Sequence, residues 1–135
     1  SPFKAKNERL FFLVANYIQI LDDYIDIFDD IDLKIKTPIT IRFYEIESSF
    51  IYREKNAFDI LTNEVQYILL SYLNAIKTET LLINKNINDE LFKEWNLFNT
   101  RFQAIHFPLN SNITEQKKYL KTIHGIIPPI ICYIG

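Results

Sequence analysis

The feature that most constrains the fold is a series of apolar residues, spaced alternately four and three apart, that runs from Leu10 to Ile31. This spacing is typical of an amphipathic helix that packs lengthwise against its neighbours. Further apolar residues widen the face on both sides, beyond the strip that a two-stranded coiled coil needs. We therefore predict one long first helix surrounded by several partner helices. The spaced residues are Leu10, Val14, Tyr17, Leu21, Tyr24, Phe28 and Ile31.

Composition favours a single helical domain. The chain has 135 residues, of which 48% are hydrophobic and 15% aromatic, with only two glycines. That balance favours helices over a turn-rich β architecture. The lone Cys132 cannot form an intramolecular disulfide, which favours a reducing compartment. No uncharged run approaches the roughly 18 residues of a membrane span and no signal peptide is recognisable, so we predict a cytoplasmic protein without membrane contact.

The segment after the first helix is predicted to contain a loop and a short helix. Residues Asp32–Pro38 carry alternating charge and end in a proline, which is typical of a loop. From Ile39 the apolar residues follow helical spacing, although the alternation over Thr40–Phe43 is also compatible with a strand. We favour a helix that breaks near Arg53–Asn56, because an unbroken helix through the next segment would be too long for this domain.

Three asparagines mark the starts of three further helices. Each is followed by acidic residues within the first turn, which is typical of helix N-termini. The predicted helices run from Asn56 to about Asn84–Asn86, from Asn88 to about His106, and from Asn112 towards Gly125.

These elements together predict an all-α fold, an up-and-down bundle of four long helices plus one short helix, in a single domain over residues 1–135. The tail Ile126–Ile134 is almost wholly apolar. Water would not surround that much hydrocarbon in a monomer, so the tail is expected to pack on the core or on another subunit. We therefore predict a homodimer.

An acidic series on the first helix resembles a magnesium-binding pattern. Asp22, Asp23 and Asp26 match the spacing DDxxD, in which carboxylates four residues apart share one helix face. These residues, with Asp29 and Asp30, fall opposite the apolar face, so a solvated surface is the favoured interpretation. We predict no metal site and no cofactor.

Arg101 and His106 form the one candidate catalytic motif. Arginine is always charged and binds phosphate oxygens with two parallel hydrogen bonds, while histidine transfers protons near neutral pH. In a continuous helix residues five apart lie about 140° apart, so a shared site requires the chain to bend, and Pro108 is expected to end the helix at about His106. The alternative is structural: Arg101 is a surface charge and His106 caps the helix C-terminus.

The context of this motif resembles the HEPN superfamily and its HepT-like domains. Arg101 and His106 end the penultimate helix, a polar turn follows, and the last helix contains the Leu120–Pro128 segment with its Ile-Pro step. The resemblance implies a metal-independent, dimeric endoribonuclease of toxin, abortive-infection or CRISPR-associated type, or an inactive relative. It also implies that Arg101 stabilises the charged phosphorane and that His106 is the general acid or base while the RNA 2′-hydroxyl attacks.

A second class of function fits the same sequence. A helical interaction protein without chemistry, such as an antitoxin or immunity protein, a CRISPR small subunit or a viral inhibitor of host defence, needs only the fold and a protein partner. The acidic face Asp22–Asp30 would then be a docking surface for a basic partner. The net charge of −2 argues against a broad cationic grip on nucleic acid but leaves room for a small RNA-cleaving pocket.

Overall fold

The computed structural model describes the backbone of residues 2–83 and 85–128 and the side chains of residues 8–82 and 93–128. Over these residues the chain is helical and contains no strand, which confirms the all-α class. Six α-helices and one short 3-10 helix follow in order. They are α1 (Pro2–Ile25), α2 (Ile27–Asp32), α3 (Pro38–Ser48), the 3-10 helix Phe50–Tyr52, α4 (Ala57–Ile83), α5 (Lys85–Ala104) and α6 (Ile113–Gly125).

The first helix breaks where the sequence predicted continuity. α1 ends at Ile25 and α2 begins at Ile27, so the prediction of one helix through Ile31 is wrong at Asp26. Asp26 adopts φ −90° and ψ 10°, outside helical geometry, although its N–H still donates to the carbonyl of Asp22 at 3.0 Å. The chain therefore bends without losing that hydrogen bond. Acidic residues in the first turn of α2 interact favourably with its positive end.

Two pairs of side chains show that α1 and α4 run antiparallel. Near the start of α1, Arg9 Nε lies 2.8 Å from Glu79 Oε1, close to the end of α4. Near the end of α1, the Tyr24 hydroxyl lies 2.6 Å from Thr62 Oγ1, close to the start of α4. This pair of helices forms the most extensive helix–helix packing in the described residues.

Aromatic contacts across the core show that α5 runs in the same direction as α1. The rings of Tyr17 and Trp95 meet edge to face with centroids 4.7 Å apart, and those of Tyr24 and Phe102 stack at 6.4 Å. Trp95 and Phe102 are buried, as the predicted apolar face of this helix requires. The predicted start at Asn88 is wrong, since α5 begins at Lys85 and Asn88 lies inside it.

The first turn of α3 decides between the helix and the strand proposed for Thr40–Phe43. The Thr37 side chain accepts a hydrogen bond from the backbone N–H of Thr40, while Thr40 Oγ1 accepts from the backbone N–H of Thr37 at 2.8 Å. This reciprocal cap, with Pro38 at the first helical position, starts a helix. A salt bridge from Arg42 Nη2 to Glu64 Oε1, at 2.6 Å, then ties α3 to α4.

The apolar series of the first helix forms the core, as predicted. Val14, Tyr17, Leu21, Tyr24 and Phe28 are buried against residues of α3, α4, α5 and α6. The C-terminal segment packs partly on this core through Ile126 and Ile127, and the rest of the predicted tail interface, residues 129–135, lies outside the described residues. None of the described helices combines the length and apolar character that a membrane crossing requires.

Candidate functional site

The connection between α5 and α6 carries the candidate motif. α5 ends at Ala104, two residues before the predicted end at His106. The N–H of Ile105 still donates to the carbonyl of Arg101 at 3.1 Å, and the chain then leaves helical geometry. The bend that the motif requires therefore lies between Arg101 and His106.

Hydrogen bonds to the start of α4 hold this connection in place. Asn56 Nδ2 donates to the carbonyl of Ser111 at 3.1 Å, and Asp59 Oδ2 accepts from the backbone N–H of Asn110 at 3.0 Å. Asn110 has φ 54°, in the left-handed region that asparagine tolerates better than most residues. Gln116 Nε2 donates to the same Ser111 carbonyl at 2.9 Å. The loop thus bonds to both α4 and α6.

Packing fixes the residue next to His106. The Phe107 ring stacks on Phe58 with centroids 5.9 Å apart and meets Tyr119 edge to face at 5.1 Å. Because Phe107 is anchored on two helices, the backbone of His106 has a defined position relative to α6.

Asn56 has two roles: its side chain caps the start of α4 and also bonds to the loop between α5 and α6. Its Oδ1 accepts from the backbone N–H groups of Phe58 and Asp59, as predicted for an N-cap. We expect Asn56→Ala to lower the free energy of unfolding, measured in urea, by about 1–2 kcal/mol, the upper part of the range for a lost cap. Asn63→Ala, at an exposed position on the same helix, is the control and should stay within about 0.5 kcal/mol of the original protein. Equal losses in both variants would contradict the capping role.

Arg101 and His106 are both exposed. Neither side chain forms a hydrogen bond or ion pair with the rest of the described chain. In the described residues the His106 side chain donates to no helix carbonyl. His106 lines a groove of about 270 Å³, and Arg101 is not among the residues that line it. The other lining residues are Ile105, Pro108, Glu115, Lys118, Tyr119 and Thr122.

Glu115 and Lys118 are groove residues that sequence reasoning missed. Both are exposed and, like His106, form no ion pair with the described residues. With Thr122 they recur three and four residues apart, so a helical projection of α6 puts all three on one stripe. Burial raises the pKa of Tyr119 to about 12, so this groove residue keeps its proton at neutral pH. His106 is therefore the groove residue best suited to proton transfer near neutral pH.

The acidic series lies at a different groove. Asp23 is only 9% exposed and accepts a hydrogen bond from Gln19 Nε2 at 2.9 Å, so the prediction that every aspartate lies on a solvated face is wrong at Asp23. Asp26 and Asp29 line a groove of about 280 Å³. Lys117, Leu120, Lys121 and His124 of α6 line the same groove, together with Ile25 and Phe28 from the side of the aspartates. In the described part of the chain no group of three or more His, Cys, Asp or Glu side chains could hold a metal ion.

Because Asp26 is half-buried, its carboxyl makes the stability of the folded protein depend on pH. Burial raises the pKa of its carboxyl, Asp22, Asp30 and Asp29 add to the rise, and His124 opposes it. Because the folded state then binds this proton more tightly than the unfolded state, this group's contribution to stability falls as the pH rises from about 3.9, the usual pKa of aspartate, through the raised value. We expect Asp26→Asn to unfold at a higher urea concentration than the original protein at pH 7.

At about pH 2.5, more than one unit below the usual aspartate pKa of about 3.9, Asp26 is protonated in nearly all folded and unfolded molecules, so the advantage of the asparagine variant should disappear. Glu54→Gln, which removes one charge at an exposed turn, is the control for net charge. An advantage of Asp26→Asn that is the same at both pH values would contradict this explanation.

Comparison of the chain with protein-family models, with curated proteins and with solved structures gives no significant match.

Proposed function

We propose that this protein is a HEPN-like, metal-independent endoribonuclease, or a catalytically inactive relative with the same site. The main support is that both residues of the motif are exposed and unpaired within the described part of the chain. Arg101 and His106 lie on either side of the end of α5, both exposed and both without a partner in the described residues. Exposed, unpaired nitrogen donors of this kind are free to contact a phosphate, and the groove beside His106 offers a place for substrate.

The proposed reaction uses the RNA itself as the nucleophile. The 2′-oxygen forms a bond to phosphorus, the bond to the 5′-oxygen breaks, and a 2′,3′-cyclic phosphate remains. The 2′-hydroxyl loses a proton and the leaving 5′-oxygen gains one. His106 makes one of these two transfers as general base or general acid and water makes the other, while Arg101 stabilises the negative charge on the phosphorane. No cofactor takes part in this scheme.

We further propose that the protein acts in the cytoplasm as a homodimer, with the two motifs facing one cleft. In this proposal α1, α4, α5 and α6 are the four long helices of an up-and-down bundle. The antiparallel pairing of α1 with α4 and the alignment of α5 with α1 support that arrangement. A dimer would also allow Arg101, which does not line the groove of its own chain, to approach substrate bound by the other chain.

The direct test is incubation of the purified protein with end-labelled single-stranded RNA in EDTA. We expect fragments that end in a 2′,3′-cyclic phosphate, and no cleavage of an oligonucleotide of the same sequence in which every sugar is 2′-deoxy. Cleavage of the deoxy oligonucleotide, or complete dependence on added metal, would contradict the mechanism. If the protein binds RNA but does not cleave it, the active-ribonuclease form of the proposal is excluded and the catalytically inactive relative remains.

An interaction protein without chemistry is the second candidate, and one observation favours it. Phe50 and Ile51 are 76% and 80% exposed at the corner between α3 and α4, and Tyr67 on α4 is 74% exposed. Large exposed apolar side chains are typical of protein-binding surfaces when they form a continuous patch. This candidate predicts a stable protein partner and no cleavage of RNA. Asp22 and Asp29 remain exposed for a basic partner, while Asp23 does not.

A further inference from the structure

We propose that the groove beside His106 binds one unstacked nucleotide of single-stranded RNA, with its phosphate on Lys118 and its base on the apolar floor of the groove. This inference rests on the proposed function for the identity of the substrate. It goes further by naming Lys118 as a binding residue and by choosing single-stranded over double-stranded RNA.

The groove has two chemically different parts. His106 and Lys118 supply cationic or proton-donating groups from two separate elements, the α5–α6 connection and α6. Ile105, Pro108 and Tyr119 contribute apolar surface to the same groove. A nucleotide has the same division into an anionic phosphate and a flat base with apolar faces. The groove therefore matches a nucleotide better than it matches an ion or a purely apolar ligand.

Lys118 is free to bind a phosphate. It is exposed, and although Glu115 lies one turn earlier on the same helix, the two form no salt bridge. The Thr122 hydroxyl donates to the Lys118 carbonyl at 2.9 Å, so it retains lone pairs that can accept from a ligand. Glu115 can accept hydrogen bonds from N–H groups on the edge of a base, and it repels a phosphate on its own side. These charges allow one orientation of the nucleotide, with its phosphate towards Lys118.

The size and charge of the site favour a single strand. The volume of about 270 Å³ lies just below the roughly 300–1,000 Å³ of typical small-molecule sites, so it suits one nucleotide rather than a stacked series. Duplex RNA keeps its bases stacked and is recognised through its backbone over a long surface, which requires more positive charge than a chain of net charge −2 supplies.

The test measures binding without cleavage. A fluorescein-labelled eight-nucleotide 2′-O-methyl RNA lacks the 2′-hydroxyl nucleophile, and its affinity can be followed by fluorescence anisotropy at several salt concentrations. The variants are Lys118→Gln and, as the matched control, Lys121→Gln. Lys121 is exposed on the same helix but lines the groove that contains Asp26, so both variants remove one surface lysine.

We expect Lys118→Gln to weaken binding about 3- to 10-fold and to reduce the slope of log Kd against log salt by about 0.7, the value for one phosphate contact on a single strand. Lys121→Gln should change the affinity less than about twofold. The duplex of the same RNA should bind at least about tenfold more weakly than the single strand. Urea unfolding of both variants checks that the fold is kept.

Three results would overturn the inference. Equal effects of the two lysine variants, or no binding by the original protein, would remove the nucleotide site, and duplex binding as tight as single-strand binding would remove the preference for a single strand. Failure of the proposed function looks different. In that case the 2′-O-methyl RNA binds through Lys118, but RNA with free 2′-hydroxyls is not cleaved.

Discussion

His106→Ala is expected to reduce the rate of RNA cleavage by about 10²–10⁴-fold, the usual contribution of a general acid or base. The free energy of unfolding should stay within about 0.5 kcal/mol of the original value, because the His106 side chain is exposed and makes no hydrogen bond to the described residues. Arg101→Ala should behave in the same way, since its guanidinium is also exposed and unpaired there. Single-turnover cleavage of labelled RNA and urea unfolding provide the two measurements.

His124→Ala is the matched control for this experiment. His124 is the other histidine of the chain, it is exposed on α6, and it lines the groove that contains Asp26 rather than the one that contains His106. Its replacement should leave the cleavage rate within about twofold, a change small against the contribution of a general acid or base. Loss of activity on replacing His124 with retention on replacing His106 would move the catalytic site to the other groove.

Phe58→Ala is expected to cause the largest loss of stability. Phe58 is 1% exposed, and its ring contacts those of Tyr24, Phe28, Phe107 and Tyr119 with centroids 5.8 to 6.3 Å apart. Removal of a buried phenyl ring costs about 3–5 kcal/mol through lost apolar burial and the cavity that remains. That is a large part of the roughly 5–15 kcal/mol by which domains are stable. Urea unfolding should show it as a lower midpoint with little change in slope.

The same substitution should disturb the site more than a surface change does. Because Phe107 stacks on Phe58, loss of that ring frees one side of the chain next to His106. Tyr67→Ala, at a 74% exposed position on the same helix, is the control and should stay within about 0.5 kcal/mol. A loss below about 1 kcal/mol for Phe58→Ala would show that the core relaxes to fill the space.

Local signals in the sequence were sufficient for the class of fold and for much of its core. The spacing of Val14, Tyr17, Leu21 and Tyr24 predicts their burial, because residues three and four apart share one face of a helix. The caps at Asn56 and Asn112 were also predictable, since the side chain of each accepts from a backbone N–H within the next three residues. Such signals depend on a few neighbouring residues only.

Signals of the same kind gave two wrong helix boundaries. The apolar series from Leu10 to Ile31 predicts one helix, yet the chain bends at Asp26. After the bend, Ile27 and Phe28 of α2 are buried in the core. Asn88 carries a cap pattern, but α5 already begins at Lys85. At Asp26 the burial of Ile27 and Phe28, each worth roughly 1.5–3 kcal/mol, outweighs the preference for an unbroken helix.

The sequence by itself determined a helical chain, its principal apolar face, and the pairing of Arg101 with His106 as candidates. Only the tertiary structure decided that His106 lies in a groove with Glu115 and Lys118, and that Arg101 lies outside that groove. The physical reason is distance along the chain. The walls of the groove come from the end of α5 and from α6, and their relative position depends on the contacts of Phe107 and on hydrogen bonds to α4, about fifty residues earlier.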